Sequence, residues 1–317
     1  MKIFNWCVKC LFLFLISPLL AFGQDYPTKP IYMVVPLPPG GAADILARFI
    51  GQGLTQSLGK PILVDNRSGG GGNIGANYVA KSPPDGYTLL LGGIPQAISM
   101  SLYEKLPYDF ATDLMPITQA ATFANIILVH PSLPVKSIQE LLALARKNPG
   151  QVNYGANPGS PNHLGMELMG VKFNHISYRG AGQVLTELLA GQIQLAGLGF
   201  PASIPYVQSG RLRAIAVTSD HRSPVLPHVP TVTEAGIPGY VVTSWYGVFA
   251  PANTPRNVVT KLNGEIIAVL KKTDLMKKLN ALGADVVTTT PEEFGKIVRD
   301  EIKRWAKVVQ TTGIKPE

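Results

Sequence analysis

Ser160 and His163 stand three residues apart at the start of a helical pattern, close enough for a hydroxyl and an imidazole to meet. With a nearby carboxylate they would form the nucleophile and base of an exported esterase. The local text argues against that chemistry. GSPNH (159–163) lacks the small-residue elbow G-x-S-x-G that exposes a catalytic serine, and Ser160-Pro161 reads as a helix cap followed by proline at the first helical position. A second candidate, GGGNIG (70–75), satisfies the G-x-G-x-x-G spacing of a dinucleotide site. That site needs an acidic residue at the end of the next strand to hold a ribose, and here the strand ends Leu91-Gly92-Gly93. The third candidate, PLPPGGAAD (36–44), places a double glycine at a helix start but lacks the Gly-Lys-Ser/Thr of a phosphate loop. Backbone N–H groups at such a start suit a carboxylate, through both hydrogen bonding and the helix dipole. Two fillings stay open: a ligand carboxylate, or water together with Asp44. The histidines His130, His175, His221 and His228 show no paired metal-ligand spacing, so neither a metal nor a cofactor is expected.

The elements that must position these residues alternate between two periods. IYMVV (31–35), PILVD (61–65) and YTLLLG (87–92) are strand candidates, with helices expected over 43–58 and 74–81. Ile45, Leu46, Phe49, Ile50, Leu54 and Leu58 share one helical face. A second set runs from NIILV (125–129) through VNYGA (152–156), HISY (175–178), IQLAG (193–197) and RAIAV (213–217). It carries helices near 161–170 and 183–190, and a capping box at Ser137 and Glu140. The tail adds a strand, YVVTSWYGVFAP (240–251), and helices over 255–272, 274–282 and 291–311, the last capped by Thr290-Pro291-Glu292-Glu293. Strands alternating with helices predict an α/β chain with parallel sheets covered by helices, and 317 residues suffice for two lobes.

Residues 1–23 read as a secretory signal peptide: Lys2 and Lys9, an apolar run from Leu11 to Leu20, then small residues around a cut near Gly23. The run is nearer 13 residues than the ~20 a bilayer requires. Both cysteines, Cys7 and Cys10, belong to this leader, so the mature chain has neither disulfides nor a thiolate site. Losing Lys2 and Lys9 lowers the formal charge from +8 to +6. The basic residues are spread along the chain and not interleaved with aromatics, which argues against a nucleic-acid partner.

Many short stretches together resemble one family, the tripartite tricarboxylate transporter substrate-binding proteins, also called Bug receptors. They include YPTKPI (26–31), VVPLPPGGAADILAR (34–48), LGKPILVDNRSGGGGNIGANYVAKSPPDGYTLLLG (58–92), LYEKLPYD (102–109), VHPSLPVKSIQELLALA (129–145), YRGAG (178–182), SGRLRAIAVTS (209–219), LPHVPTVTEAGIPGY (226–240) and TSWYGVFAPANTP (243–255). The resemblance covers the mature chain in the family's order. It implies a periplasmic, non-enzymatic receptor of two α/β lobes, a type II-like flytrap with a mostly parallel sheet in each lobe. Residues 24–122 with 241–317 would form one lobe and 123–240 the other, with residues 243–247 carrying a crossing between them. The implied partners are a small carboxylate ligand and the membrane permease subunits of a tripartite transporter, with the receptor itself a monomer.

Carried over by position, the resemblance places Leu37, Gly40, Gly41, Ala42 and Asp44 in the first-lobe ligand loop, where Gly40, Gly41 and Ala42 offer backbone donors. Gly93, Ile94, Pro95 and Gln96 lie in a facing loop. Gly159, Ser160, Asn162 and His163 form the second-lobe helix start, with Tyr178 and Phe200 at other strand ends. Departures point to individuality: Leu37 where phenylalanine is frequent, Ala43 in place of a hydroxyl residue, and Leu198-Gly199-Phe200 where an acid is frequent. Relative to the family, a few residues are absent around 169–173. These changes imply a less polar second-lobe wall and a carboxylate without an amino group. Two other roles remain at this stage: a ligand-sensing subunit for a signalling kinase, and the exported esterase.

Overall fold

The computed structural model describes residues 26–312; the leader expected over 1–23 lies outside them. β1 (Ile31–Val35) buries all but Tyr32, as a strand covered on both faces must. After the proline–glycine loop, α1 (Ala42–Leu58) turns Ala43, Leu46, Ala47, Ile50 and Leu54 inward and stops at Gly59, whose φ of 66° suits glycine. β2 (Ile62–Asn66) leads through a four-glycine turn into α2 (Asn73–Ala80), then β3 (Thr88–Gly93) and α3 (Ile94–Leu102). β4 (Leu114–Val129) is 16 residues long. Next come α4 (Ile138–Lys147), β5 (Asn153–Ala156), α5 (Pro161–Glu167), β6 (Asn174–Ser177), α6 (Ala181–Leu189), β7 (Leu195–Gly199), α7 (Phe200–Gln208) and β8 (Arg213–Val217). The chain closes with β9 (Thr243–Pro251), α8 (Arg256–Leu270), α9 (Thr273–Ala281), β10 (Ala284–Val286) and α10 (Pro291–Thr312).

The strands follow the order β2-β1-β3-β9-β4-β7-β5-β6, with β10 and β8 also paired to β4. β1 is parallel to both β2 and β3, and β5 to both β6 and β7. The antiparallel pairs are those made by β4 and β9. β4 pairs with β9 over Leu114 to Ala124 and with β7 and β8 from Asn125 or Ile126 to Val129. Each half is therefore a mixed sheet built on three parallel strands, β2-β1-β3 in one and β7-β5-β6 in the other, and β4 is the strand that runs through both. β4 passes from one half to the other between Ala124 and Asn125. β9 stays in the first half, so the return crossing expected over residues 243–247 is made just before it, where Val242 N–H donates to Thr218 O at 2.9 Å.

Alternation along the strands sorts the core onto two faces. Ile127 and Val129 join α3, α4, α5 and α10 in one cluster spanning both halves. Ile126 and Leu128 face α6 and α7, while Ile31, Met33 and Val35 face α1 and α8, in two separate clusters. One face thus holds the halves together; on the other their cores are divided. α10 fastens the shared face. Glu301 accepts from Trp305 Nε1 at 2.8 Å and from Trp245 Nε1 at 3.4 Å, and Arg304 donates to the Val241 carbonyl.

Candidate functional site

The loop between β1 and α1 is shaped by Gly40, whose φ of 84° favours glycine, and by Asp44. Asp44 reaches back so that its Oδ2 accepts the Gly40 N–H at 3.0 Å and Arg48 Nε at 3.0 Å. Burial alone would push this carboxyl up; the Arg48, Gly40 and Asn66 hydrogen bonds outweigh it and hold the pKa below the usual value. The Gly40 amide, expected as a ligand donor, is thereby engaged within the protein. The Gly41 carbonyl starts the helix by accepting from Ile45 N–H at 3.0 Å. The N–H groups of Gly41, Ala42 and Ala43 have no protein acceptor among the described residues, as the first turn of a helix dictates. Leu37 is half-buried, and its carbonyl accepts from Asn66 Nδ2 at 3.2 Å.

The glycine-rich motif after β2 buttresses this loop. A Cβ on Gly75 would sit 2.8 Å from Arg67 O and 3.0 Å from Pro36 Cα, and one on Gly72 would sit 3.3 Å from Pro36 O. Glycine here permits α2 to lie directly against the first residue of PLPPGGAAD. Residues 93–97, expected as a loop, are instead the end of β3 and the start of α3. Pro95 suits the first turn of a helix as well as a loop, which hid the change. Gly93 and Ile94 are buried, and Pro95 is half-buried. The Gln96 Oε1 accepts the Gly93 N–H at 2.9 Å, so this side chain caps its own helix. Its Nε2 is buried beside Gly72 without a partner.

In the second half, Ser160 caps α5 as the sequence indicates: its Oγ accepts from His163 N–H at 3.2 Å. The His163 ring turns elsewhere. Its Nδ1 accepts the Gly159 N–H at 3.1 Å, and the ring stacks on His175 at 4.0 Å. Burial, with His175 second, pushes the imidazole pKa down to about 4. A neutral ring bonded to Gly159 is not poised to take a proton from Ser160, so the esterase pair that the sequence already argued against is not assembled. Gly159 has a φ of 69°, and a Cβ there would overlap Leu102 Cδ2 at the far end of α3, making this a point of close approach between the halves.

Asn162 lies half-exposed over β7, its Oδ1 3.4 Å from where a Cβ on Gly197 would be. Tyr178 leans on Gly155 beside Val184 and Ile193. Phe200 is only 1% exposed and packs on Gly283 of the α9–β10 turn; it belongs to the joint between the halves rather than to an open wall. Asn125, missed in the sequence, sits at the crossing with its side-chain Nδ2 buried and unpartnered. The signal was a lone polar residue heading an apolar strand, which reads equally well as a strand boundary. A recess of about 390 Å³ lined by Met100, Tyr103, Tyr108, Asp109 and Asp113 shares no residue with this set. Among the described residues no group of three His, Cys, Asp or Glu could hold a metal.

The fold that carries these helix starts is matched in known proteins. The family model of the Tripartite tricarboxylate transporter family receptor matches residues 46–314. Protein BugT of Bordetella pertussis is 39% identical over 300 residues, 92% of each chain. Among solved structures, R. palustris Rpa4515 with adipate is 40% identical, with a TM-score of 0.85 over 92% of this chain and 100% of that one. MatC from Rhodopseudomonas palustris with bound malate is 31% identical, with a TM-score of 0.80 over 90% and 100%. On sequence and fold alike, the chain belongs to the tripartite tricarboxylate transporter receptor family of periplasmic solute-binding proteins, the Bug receptors.

Proposed function

We propose that the chain is an exported receptor that closes on a small carboxylate lacking an amino group and passes it to the membrane subunits of a tripartite transporter. The observation that carries the reading is the start of α1, where the unpartnered N–H groups of Gly41, Ala42 and Ala43 leave a donor array at the positive end of a helix dipole. Relatives of like fold hold adipate and malate, which supports a carboxylate as the occupant. Closure turns the half carrying β5 to β7 on β4 near Ala124 and Asn125, bringing Gly159, Ser160 and Asn162 towards the α1 loop, and differential affinity for the closed state drives it. The receptor works as a monomer and without turnover; the engagement of the His163 ring by Gly159 argues against a hydrolytic role.

The test is a thermal-shift and calorimetric screen of adipate, malate, succinate, aspartate and glutamate, preceded by native mass spectrometry to find copurified ligand. A ligand at 100 times its Kd adds about 2.7 kcal/mol to unfolding. At least one deaminated dicarboxylate is expected to stabilise the protein more than aspartate or glutamate does. Tighter binding of an amino acid would overturn the ligand class, and the absence of any carboxylate, added or copurified, would overturn the receptor reading.

A further inference from the structure

His221 ties the two halves together at their joint, and both nitrogens of its ring are committed to carboxylates. Nδ1 lies 2.6 Å from Oδ1 of Asp220, its neighbour in the loop after β8, and Nε2 lies 3.3 Å from Oδ2 of Asp285 on β10. The loop is fixed to the second half. Thr218 N–H donates to Asn125 O at 2.9 Å, Ser219 Oγ to His221 O at 2.7 Å, and Arg222 Nε to Glu234 Oε2 at 2.8 Å. Asp285 is fixed to the first half, where β10 runs antiparallel to β4 with Asp285 opposite Thr122. β4 changes partners between these two anchors, at Ala124 and Asn125. The bridge therefore crosses the point about which one half can turn on the other.

The joint is thinly packed on this face. The cores of the two halves are separate clusters here, and Phe200 against Gly283 is the contact beside the bridge. Between them lies a void of about 50 Å³ that Phe200 and Ser223 line from one half and Asn280, Gly283 and Asp285 from the other, room for water in place of packed side chains. A polar bridge therefore counts for more here than on the shared face. Its geometry also counts protons. An imidazolium has two N–H groups, whereas a neutral imidazole has one N–H and one lone pair. Two carboxylates facing the two nitrogens are both satisfied by the imidazolium; in the neutral ring a lone pair confronts one of them. The shorter bond, to Asp220, is made within one loop and survives any turning of the halves, so the contact given up is the one to Asp285. The ring is open to solvent and exchanges protons freely. Asp220 and Asp285 are the charged groups that face it: Arg222 beside it turns to Glu234, α9 brings Asn280, and α7 brings Phe200. The hydrogen bond to Asp220, and then Asp285, raise the pKa of the ring above its ordinary 6.5.

We propose that His221 is a proton-operated latch: its imidazolium spans Asp220 and Asp285 and holds the halves in the arrangement of this structure, and the neutral ring releases Asp285 and lets the half carrying β5 to β8 turn. The latch is a property of the joint and needs no ligand. Where it meets the receptor reading above, and resting there on that reading, it makes the balance between the two arrangements, and with it the capture of ligand, depend on pH.

Residues 24–317 contain no cysteine, so a dye pair can be placed through Gln56→Cys in α1 and Gln208→Cys in α7, both exposed and in different halves. Time-resolved energy transfer, on protein shown to be free of ligand by native mass spectrometry, then reports the distance between the halves at pH 5.5 and pH 8. An exposed ion pair shifts an equilibrium by up to about fivefold, so the ratio of molecules in the pH 5.5 arrangement to all others is expected to fall about two- to fivefold at pH 8. His221→Gln and Asp285→Asn should each give one distribution at both pH values. Asp220→Asn should also lose the response but keep the pH 5.5 arrangement throughout, because an asparagine amide can donate to Nδ1 and leave the N–H of the neutral ring for Asp285. A parent distribution that does not change with pH overturns the latch, and so does a response that survives in His221→Gln. A response that survives in Asp285→Asn confines the titration to the loop and overturns it equally, while Asp220→Asn behaving as the parent does refutes the proton count. Circular dichroism melts at both pH values identify any variant that does not fold, and the remaining two then decide. Because no ligand takes part, a negative result leaves the receptor reading to be judged by the carboxylate screen.

Discussion

Gly159→Ala perturbs a point of close approach between the two halves and its cost can be worked out in advance. The native φ of 69° lies in the left-handed region, which costs a side-chain-bearing residue about 1–2 kcal/mol. The new methyl also runs into Leu102 Cδ2, on a side chain 8% exposed and packed in the shared core, and overpacking of this kind costs about 1–3 kcal/mol. Together they predict a loss of about 3 kcal/mol, a large share of the roughly 5–15 kcal/mol that holds a domain folded. In a chain of this size that is a fall in Tm of roughly 6–12 °C. Denaturant melts followed by tryptophan fluorescence are suited to the measurement, since Trp245 and Trp305 both lie in the shared core. The two contributions separate in a double-mutant cycle. Leu102→Ala on its own leaves a cavity, but in combination with Gly159→Ala it removes the overlap, so the pair should be less damaging than the sum of the singles by about 1–3 kcal/mol. The backbone contribution should survive in the double variant. Strict additivity would refute the claim that these residues touch, and a Gly159→Ala protein as stable as the parent would refute both contributions.

Three further outcomes are expected. Because the folded His163 pKa is lowered to about 4 from 6.5, its contribution is complete above pH 6.5 and lost as pH falls towards 4, up to about 3 kcal/mol; urea melts at pH 7 and pH 4.5 should differ less in His163→Asn than in the parent. His221 bridges Asp220 at 2.6 Å and Asp285 of β10 at 3.3 Å, and its pKa is raised, first by the Asp220 hydrogen bond and then by Asp285. That contribution is present below pH 6.5 and lost as pH rises through the raised value, so the Tm gap between the parent and His221→Gln should narrow from pH 5.5 to pH 8; a gap that widens would contradict the bridge. Gly75→Ala drives a methyl against Arg67 O and Pro36, so it should lower Tm and weaken adipate together, whereas a variant that melts lower but binds adipate unchanged would show that α2 does not support the ligand loop.

What could be read from the sequence was what local chemistry determines. β1, α1 and β8 lie within a residue of their expected bounds because period and breaker residues agree there. The caps at Ser137 and Thr290 form as read: Glu140 N–H donates to Ser137 Oγ, and Glu293 N–H to Thr290 Oγ1, each at 3.2 Å. What escaped was determined at a distance. Residues 114–124 contain Pro116 and several alanines, weak strand formers that become a strand only because β9 and β10 lie alongside. α3 and α7 were obscured by Pro95, Pro201 and Pro205. In the candidate site, the turn glycines and the Ser160 cap were legible because each has a local backbone reason. The diversion of Gln96 to Gly93 and of Gly40 to Asp44 could not, because a side chain's choice between ligand and neighbour depends on packing that no motif spells out.

The insertion of β9 between β3 and β4 has a consequence for the order in which the molecule can be made. The half built on β5 to β8 occupies one continuous stretch of chain and has its strands in hand before residue 243 is synthesised. The other half does not: Leu90 pairs with Phe249, about 160 positions later, and until then β3 and β4 present bare edges to each other. A ribosome or translocation pore still holding the last 75 or so residues therefore holds a protein with one finished half and one gap in its middle. Completion waits for β9, and α10 then fastens across both halves as the final act of assembly.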